Sequence, residues 1–229
     1  KYSNNDKKNP LKINGDKNSF VWNMRYDDAK GFDGLIMWAA NLRGPKASPG
    51  NYFVRLNVDE NSMEKSFNIL KDPRSNSSIE DLKKQFDFLI SVRDKVTSVH
   101  EAIIQIRSTR KQLNNLEEKL DENHNELKKN INEVINDITK IEKTLYQTKN
   151  RSGQDPLNFP IKLNNKLAHL ASVASSGNYK PTDQMYGVRD ELIKKIDIEL
   201  NLWNNIKENK LEQINTAIKE SNIQLISIN

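Results

Sequence analysis

Apolar positions change their period near residue 75. Before it they alternate; after it they recur in steps of three and four. Phe20, Trp22, Met24 and Tyr26 share one parity, with Val21, Asn23 and Arg25 on the other. That period of two predicts a half-buried strand over residues 20–26. Residues 35–40 are a short unbroken apolar run, predicted as a strand or a buried turn. Tyr52, Val54, Leu56 and Val58 alternate again, and Met63, Lys65, Phe67 and Ile69 answer them. Asp59-Glu60-Asn61-Ser62 between them has the length of a hairpin turn. Arg43-Gly44-Pro45 and Ser48-Pro49-Gly50 punctuate the loop ahead of this hairpin. Residues 1–74 therefore read as a small antiparallel β-sandwich of immunoglobulin or fibronectin type. Its visible strands fall short of the roughly seven such a fold contains. The expectation is that the sandwich is incomplete, its earlier strands preceding Lys1 in a longer polypeptide.

Pro73 removes a ladder donor and ends the β region. Ser77-Ser78-Ile79-Glu80-Asp81 offers an N-cap serine followed by acidic residues. Leu82, Phe86, Leu89, Val92, Val96, Val99, Ile103, Ile106, Leu113, Leu116 and Leu120 then mark a helix over residues 79–120. Leu127, Ile131, Val134, Ile138, Ile141 and Leu145 step 4-3-4-3-4, a coiled-coil-like seam. Leu163, Leu167, Leu170 and Ala174 predict a short third helix closed by Gly177 at C′. A fourth, capped by Thr182 or Asp183, runs to about residue 222 through Val188, Leu192, Ile196, Trp203, Ile206, Ile214 and Ile218. Together these predict an up-and-down four-helix bundle over residues 75–229. The third helix is too short to reach the far end, which is left to the other three. The predicted fold class is thus α+β and multidomain, a β-sandwich followed by the bundle.

Composition narrows the chemistry. Of 229 residues 29% are charged and 35% apolar, with a mean hydropathy of -0.80. That suits long helices with wide polar faces. The net charge is +5, and residues 1–74 carry 13 Lys and Arg against 9 Asp and Glu. On the helices Lys and Glu interleave, as in Leu116-Glu117-Glu118-Lys119-Leu120, so there is no basic stripe of the kind that binds nucleic acid. With no cysteine, disulfides, thiolate metal sites and a Cys nucleophile are excluded. No run of about 18 apolar residues spans a membrane.

No catalytic, cofactor or metal site is expected. His100, His124 and His169 each lack a His or Cys partner at i+3 or i+4, whereas a metal needs converging ligands. Asp27, Asp28 and Asp33 are turn-forming aspartates before they are a catalytic pair. Trp22, Trp38 and Tyr52 are the candidate carbohydrate platform, since flat rings stack on pyranose faces, with Arg25, Arg55 or Asn23 placed for hydroxyls. Large aromatics at alternating strand positions are more simply core. Arg25 and Arg43 are suited to cross-brace loops by donating to carbonyls or aspartates. Trp203 reads as packing.

Phe20-Val21-Trp22-Asn23-Met24-Arg25-Tyr26, Gly34-Leu35-Ile36-Met37-Trp38-Ala39, Pro49-Gly50-Asn51-Tyr52-Phe53-Val54-Arg55-Leu56 and Lys71-Asp72-Pro73-Arg74 carry a resemblance. With Arg43-Gly44-Pro45, they resemble the C-terminal part of large bacterial BNR-repeat, sortilin-like propeller proteins labelled glycosyl hydrolases. The likeness is specific over residues 18–74 and weaker, more pattern than identity, beyond residue 78. The strand followed by Pro-Gly-Asn-Tyr is also similar to the immunoglobulin-like domain of flagellar hook-capping proteins. The first resemblance implies an N-terminal β-propeller that would carry any catalytic or ligand site, and export to periplasm or cell surface. It also implies that this chain is a non-catalytic accessory module whose partner is that propeller, with protein or polysaccharide as further partners. A carbohydrate-binding module on the three rings is the alternative.

Overall fold

A computed structural model describes residues 11–221. Two strands, β1 (Gly50–Val58) and β2 (Asn61–Ile69), precede five helices: α1 (Ile79–Glu117), α2 (Asn125–Leu145), α3 (Leu163–Ala174), α4 (Asp183–Asn205) and α5 (Leu211–Glu220). A π-helical turn, Ile206–Lys210, joins α4 to α5 without a break. The expected run of the last helix beyond residue 221 lies outside the described residues.

The helices form where caps and seams place them. Ser78 Oγ accepts from Asp81 N at 3.0 Å while Ser78 N donates to Asp81 Oδ2 at 3.1 Å, a reciprocal capping box. From there α1 continues for 39 residues, about 58 Å at 1.5 Å per residue. Thr182 caps α4 by accepting from Met185 N. α2, α3 and α4 pack on α1, and α2 also packs on α4 and α5. Phe88, Ile103, Ile106, Ile131, Ile138 and Leu145 are the fully buried heart of this helical core. Gly177 does not close α3 in a left-handed conformation. The helix ends on Ser175, and the Tyr179 ring lies where a Cβ on Gly177 would project, with its nearest atom 2.4 Å away.

The β-sandwich expected over residues 1–74 is not formed; part of that expectation, residues 1–10, lies outside the described residues. The described residues contain one two-stranded antiparallel sheet, β1 paired with β2 in the register Tyr52↔Phe67 and Leu56↔Met63. Asp59, with φ 51°, opens the two-residue turn as a primed hairpin turn requires. Residues 20–26 are not a strand. Met24 has φ 57°, which breaks the alternation mid-run, and a single bridge, Arg25↔Lys46, is the only pairing there. Residues 35–40 are neither a strand nor a buried turn: they run as an irregular half-buried segment, with Gly34 at φ 77° before it and Ala39 at φ 50° in a bend near its end. Their apolar side chains lie against helices instead of a second sheet: Leu35, Met37 and Ala40 all pack on the helical core.

Candidate functional site

Residues 24–47 form a clasp laid onto the bundle. Its two arms run antiparallel: Ala29 N donates to Leu42 O, Tyr26 N to Pro45 O and Ala47 N to Met24 O, at 2.7–3.0 Å. Gly44 sits where the arms touch. A Cβ there would stand 2.0 Å from Tyr26 O and 2.4 Å from Asp27 O, so only glycine fits. Arg25 Nη1 donates to Gly44 O and Gly44 N donates to Asp28 Oδ1, both at 2.8 Å. Arg25 thus braces the loop as the sequence suggests. No hydrogen bond or ion pair is made by the Arg43 side chain among the described residues.

The tip of the clasp lies between polar stripes on α1 and α3. On α1, Arg93 Nη1 donates to Asp27 O, Thr97 Oγ1 accepts from Lys30 N, and Arg107 Nη1 reaches Asp33 O. His100, fully buried, sits at 2.5 Å from Lys30 O through Nδ1 and at 3.1 Å from Asn164 Nδ2 through Nε2. A carbonyl can only accept, so Nδ1 carries the proton and Nε2 accepts from the amide. Burial pushes the His100 pKa down, against the opposing pull of the Lys30 carbonyl. From α3, Asn165 and His169 bind Trp38 and Ala39 main chain, and Ser172 Oγ accepts from Asn41. Tyr146, just past α2, donates to Gly34 O and accepts from Ile36 N. These stripes, Arg93–Thr97–His100–Arg107 and Asn165–His169–Ser172, follow helical spacing beside the apolar seams. That second periodicity is a signal the reading for catalytic motifs passes over.

Behind the tip lies the most buried charge cluster among the described residues. Glu142 is 3% exposed, accepts from Arg107 Nε at 2.7 Å and is ion-paired with Arg110 Nη2 at 2.7 Å. Arg107 also stacks over the Phe32 ring at 4.7 Å, and Phe32 meets both His100 and Tyr146 edge-on. Every group in this cluster that resembles catalytic equipment is bonded to main chain, to an opposite charge or to a ring.

The three platform residues are divided between two places. Trp22 joins Tyr52 and Phe67 at the root of the hairpin, its ring tilted 55° to Tyr52 and edge-on to Phe67, with its indole N–H donating to Arg25 O. Trp38 is 39% exposed on the clasp tip and makes no ring contact with that cluster among the described residues. Trp203 is buried in α4 and donates to Gln105 Oε1. The described residues hold no group of three or more His, Asp or Glu arranged for a metal ion. Among the described residues no helix is long and apolar enough to cross a membrane.

Two surfaces remain open. The hairpin is two-faced: Tyr52, Val54, Leu56, Val58, Met63 and Phe67 share one face with Lys65, and Phe53, Arg55, Asn57, Ser62 and Glu64 lie on the other. Beyond the Trp22 cluster the apolar face is bare, with Leu56 54% and Met63 67% exposed. The second surface is a cleft of about 540 Å³ between clasp residues 41–48 and the C-terminal half of α3, floored by α1. Comparison with protein-family models, with curated proteins and with solved structures gives no match.

Proposed function

We propose that this chain is a non-catalytic accessory module of a larger exported propeller protein, of the kind residues 18–74 resemble. In this reading the hairpin is the coupling element and the bundle is the arm it orients. The observation that carries it is the pairing of a bare, largely apolar hairpin face with a clasp whose main chain is held by polar side chains of the helices. Exposed contiguous apolar surface on a sheet marks an interaction site. A clasp bonded to α1, α2 and α3 transmits the position of whatever covers that face to the helices, because its arms lead directly into the hairpin. The occupant is the propeller-bearing part of the same polypeptide, and the site of export is the periplasm or cell surface.

The test is cross-linking mass spectrometry on the full-length protein containing this chain, followed by the double variant Leu56→Ser/Met63→Ser. Both residues are exposed, so the change leaves bundle stability within about 0.5 kcal/mol. Cross-links from the propeller to the hairpin, lost in the variant, support the reading. Cross-links confined to the helices would sink it. So would glycosidase turnover by the isolated chain, or a glycan-dependent fall in tryptophan quenching by iodide, which would assign Trp22, Trp38 and Tyr52 to sugar.

A further inference from the structure

We infer that the cleft beside α1 binds an extended acidic peptide segment, a role separate from the hairpin and not dependent on it. Leu82 and Phe86 supply a half-buried apolar floor, with Leu89, Val92 and Val96 buried further along α1. One wall is the clasp arm, residues 41–48, and the other runs from Ala168 to Asn178 past the end of α3. The volume falls in the range of ligand sites, roughly 300–1,000 Å³.

Charge decides the class of occupant. Arg25, Arg43, Lys46 and Arg93 line the cleft, against one carboxylate, Asp72. Arg74 holds that carboxylate through Nε and Nη2 at 3.0 and 2.8 Å, so its charge is already matched. Arg25 and Arg93 are partly occupied by main-chain carbonyls. Arg43 and Lys46 are exposed and have no carboxylate in ion-pair range among the described residues. Two unmatched cations above an apolar floor call for carboxylates joined by apolar groups.

Shape decides between a polypeptide and a small acid. The arm that walls the cleft, residues 41–48, is up to about 23 Å long at about 3.3 Å per residue, the span of a short extended segment. Ser175, Asn178 and Ser48 give hydrogen-bonding groups along that length, which suit a polyamide backbone and not an alkyl chain. Recognition of this kind uses main chain for affinity and side chains for specificity.

The experiment is panning of a random octapeptide display library over the immobilised full chain. Its selected peptides are then resynthesised with fluorescein and titrated by anisotropy. The expected result is enrichment of peptides with two Asp or Glu flanking an apolar residue. Affinity should fall on the order of tenfold or more in Arg43→Glu/Lys46→Glu, and fall with salt between about 50 and about 500 mM. It should be unchanged in Leu56→Ser, which keeps this outcome apart from the hairpin reading. Both reversed residues are exposed, and an unchanged melting temperature confirms that folding is intact. Enrichment without acidic residues, affinity indifferent to the double reversal, or equal binding of free glutarate overturns the assignment.

Discussion

Asn165 grips Trp38 by both of its main-chain groups. Trp38 N donates to Asn165 Oδ1 at 2.7 Å, and Asn165 Nδ2 donates to Trp38 O at 2.8 Å. One buried side-chain amide thereby does what a neighbouring strand does in a sheet. Asn165 is 4% exposed, so water does not replace it when it is removed. Replacing Asn165 by Ala leaves two part-buried main-chain groups without their partner and costs about 1–2 kcal/mol. The midpoint of urea unfolding measures the loss. Faster hydrogen exchange at the Trp38 amide would localise it, and an unchanged amide would contradict the account.

Gly44→Ala tests the crossing of the clasp arms. Its Cβ would meet backbone oxygens of residues 26 and 27, not the movable end of a side chain. The arms must separate, and with them the bonds Tyr26–Pro45 and Ala29–Leu42. We expect a destabilisation of about 3 kcal/mol or more by calorimetry. A normal melting temperature would mean that the arms do not touch there.

Glu142→Ala leaves two arginines facing a vacated carboxylate site, one of them clamped on Phe32. The two arginines are part-exposed, so water takes up some of the lost pairing and the cost falls to about 1–3 kcal/mol. Because Arg107 ties α1 and α2 to the clasp tip, proteolysis should reach residues 30–36 before it reaches the helices. Protection of that segment in the variant would show that the clasp holds without the cluster.

His100 makes stability depend on pH. Its folded-state pKa is lowered, because burial disfavours the imidazolium and Nε2 is occupied as an acceptor. The unfolded chain therefore binds a proton near pH 6.5 that the folded chain refuses. The contribution is fully present above that pH and is lost as pH falls from it toward the folded value. The melting temperature should drop between about pH 7 and about pH 5.5, and the drop should shrink in His100→Gln. Equal pH profiles for the two proteins would exclude His100 as the cause.

Much of the helical half was legible because each helix carries its own cap and its own seam: Ser78 with Asp81, Thr182, and the 4-3-4-3-4 run from Leu127 to Leu145. The hairpin was legible for the same reason, since β1 and β2 are neighbours joined by a turn. Residues 20–26 read as a strand, and residues 35–40 as a strand or a buried turn, and neither is a strand. Alternation and apolar runs report burial, and residues 35–40 do lie against apolar neighbours. They do not report who satisfies the main chain. Here Tyr146, Asn165 and His169, more than a hundred residues away in sequence, supply those bonds, so a segment patterned like a strand needs no sheet partner. The cleft was invisible for a related reason. Its cations come from a loop and its floor from a helix, and no local spacing joins them.

The π turn between α4 and α5 has a consequence for how this protein can change length. Ile206 and Ile214 are both buried although eight positions separate them, one more than two α-helical turns. The wide turn absorbs the surplus residue, so the apolar line of α5 continues that of Leu192, Ile196 and Trp203. Removing Asn209, which is exposed and outside that line, should convert the turn to ordinary α hydrogen bonding and leave Ile214 facing inward, whereas adding a residue there rotates Ile214 toward water. Circular dichroism melting of the two variants compares them directly: near-normal for the deletion, lowered for the insertion. The last helix is thus a spare-length device, tolerant of shortening by one residue and intolerant of growth.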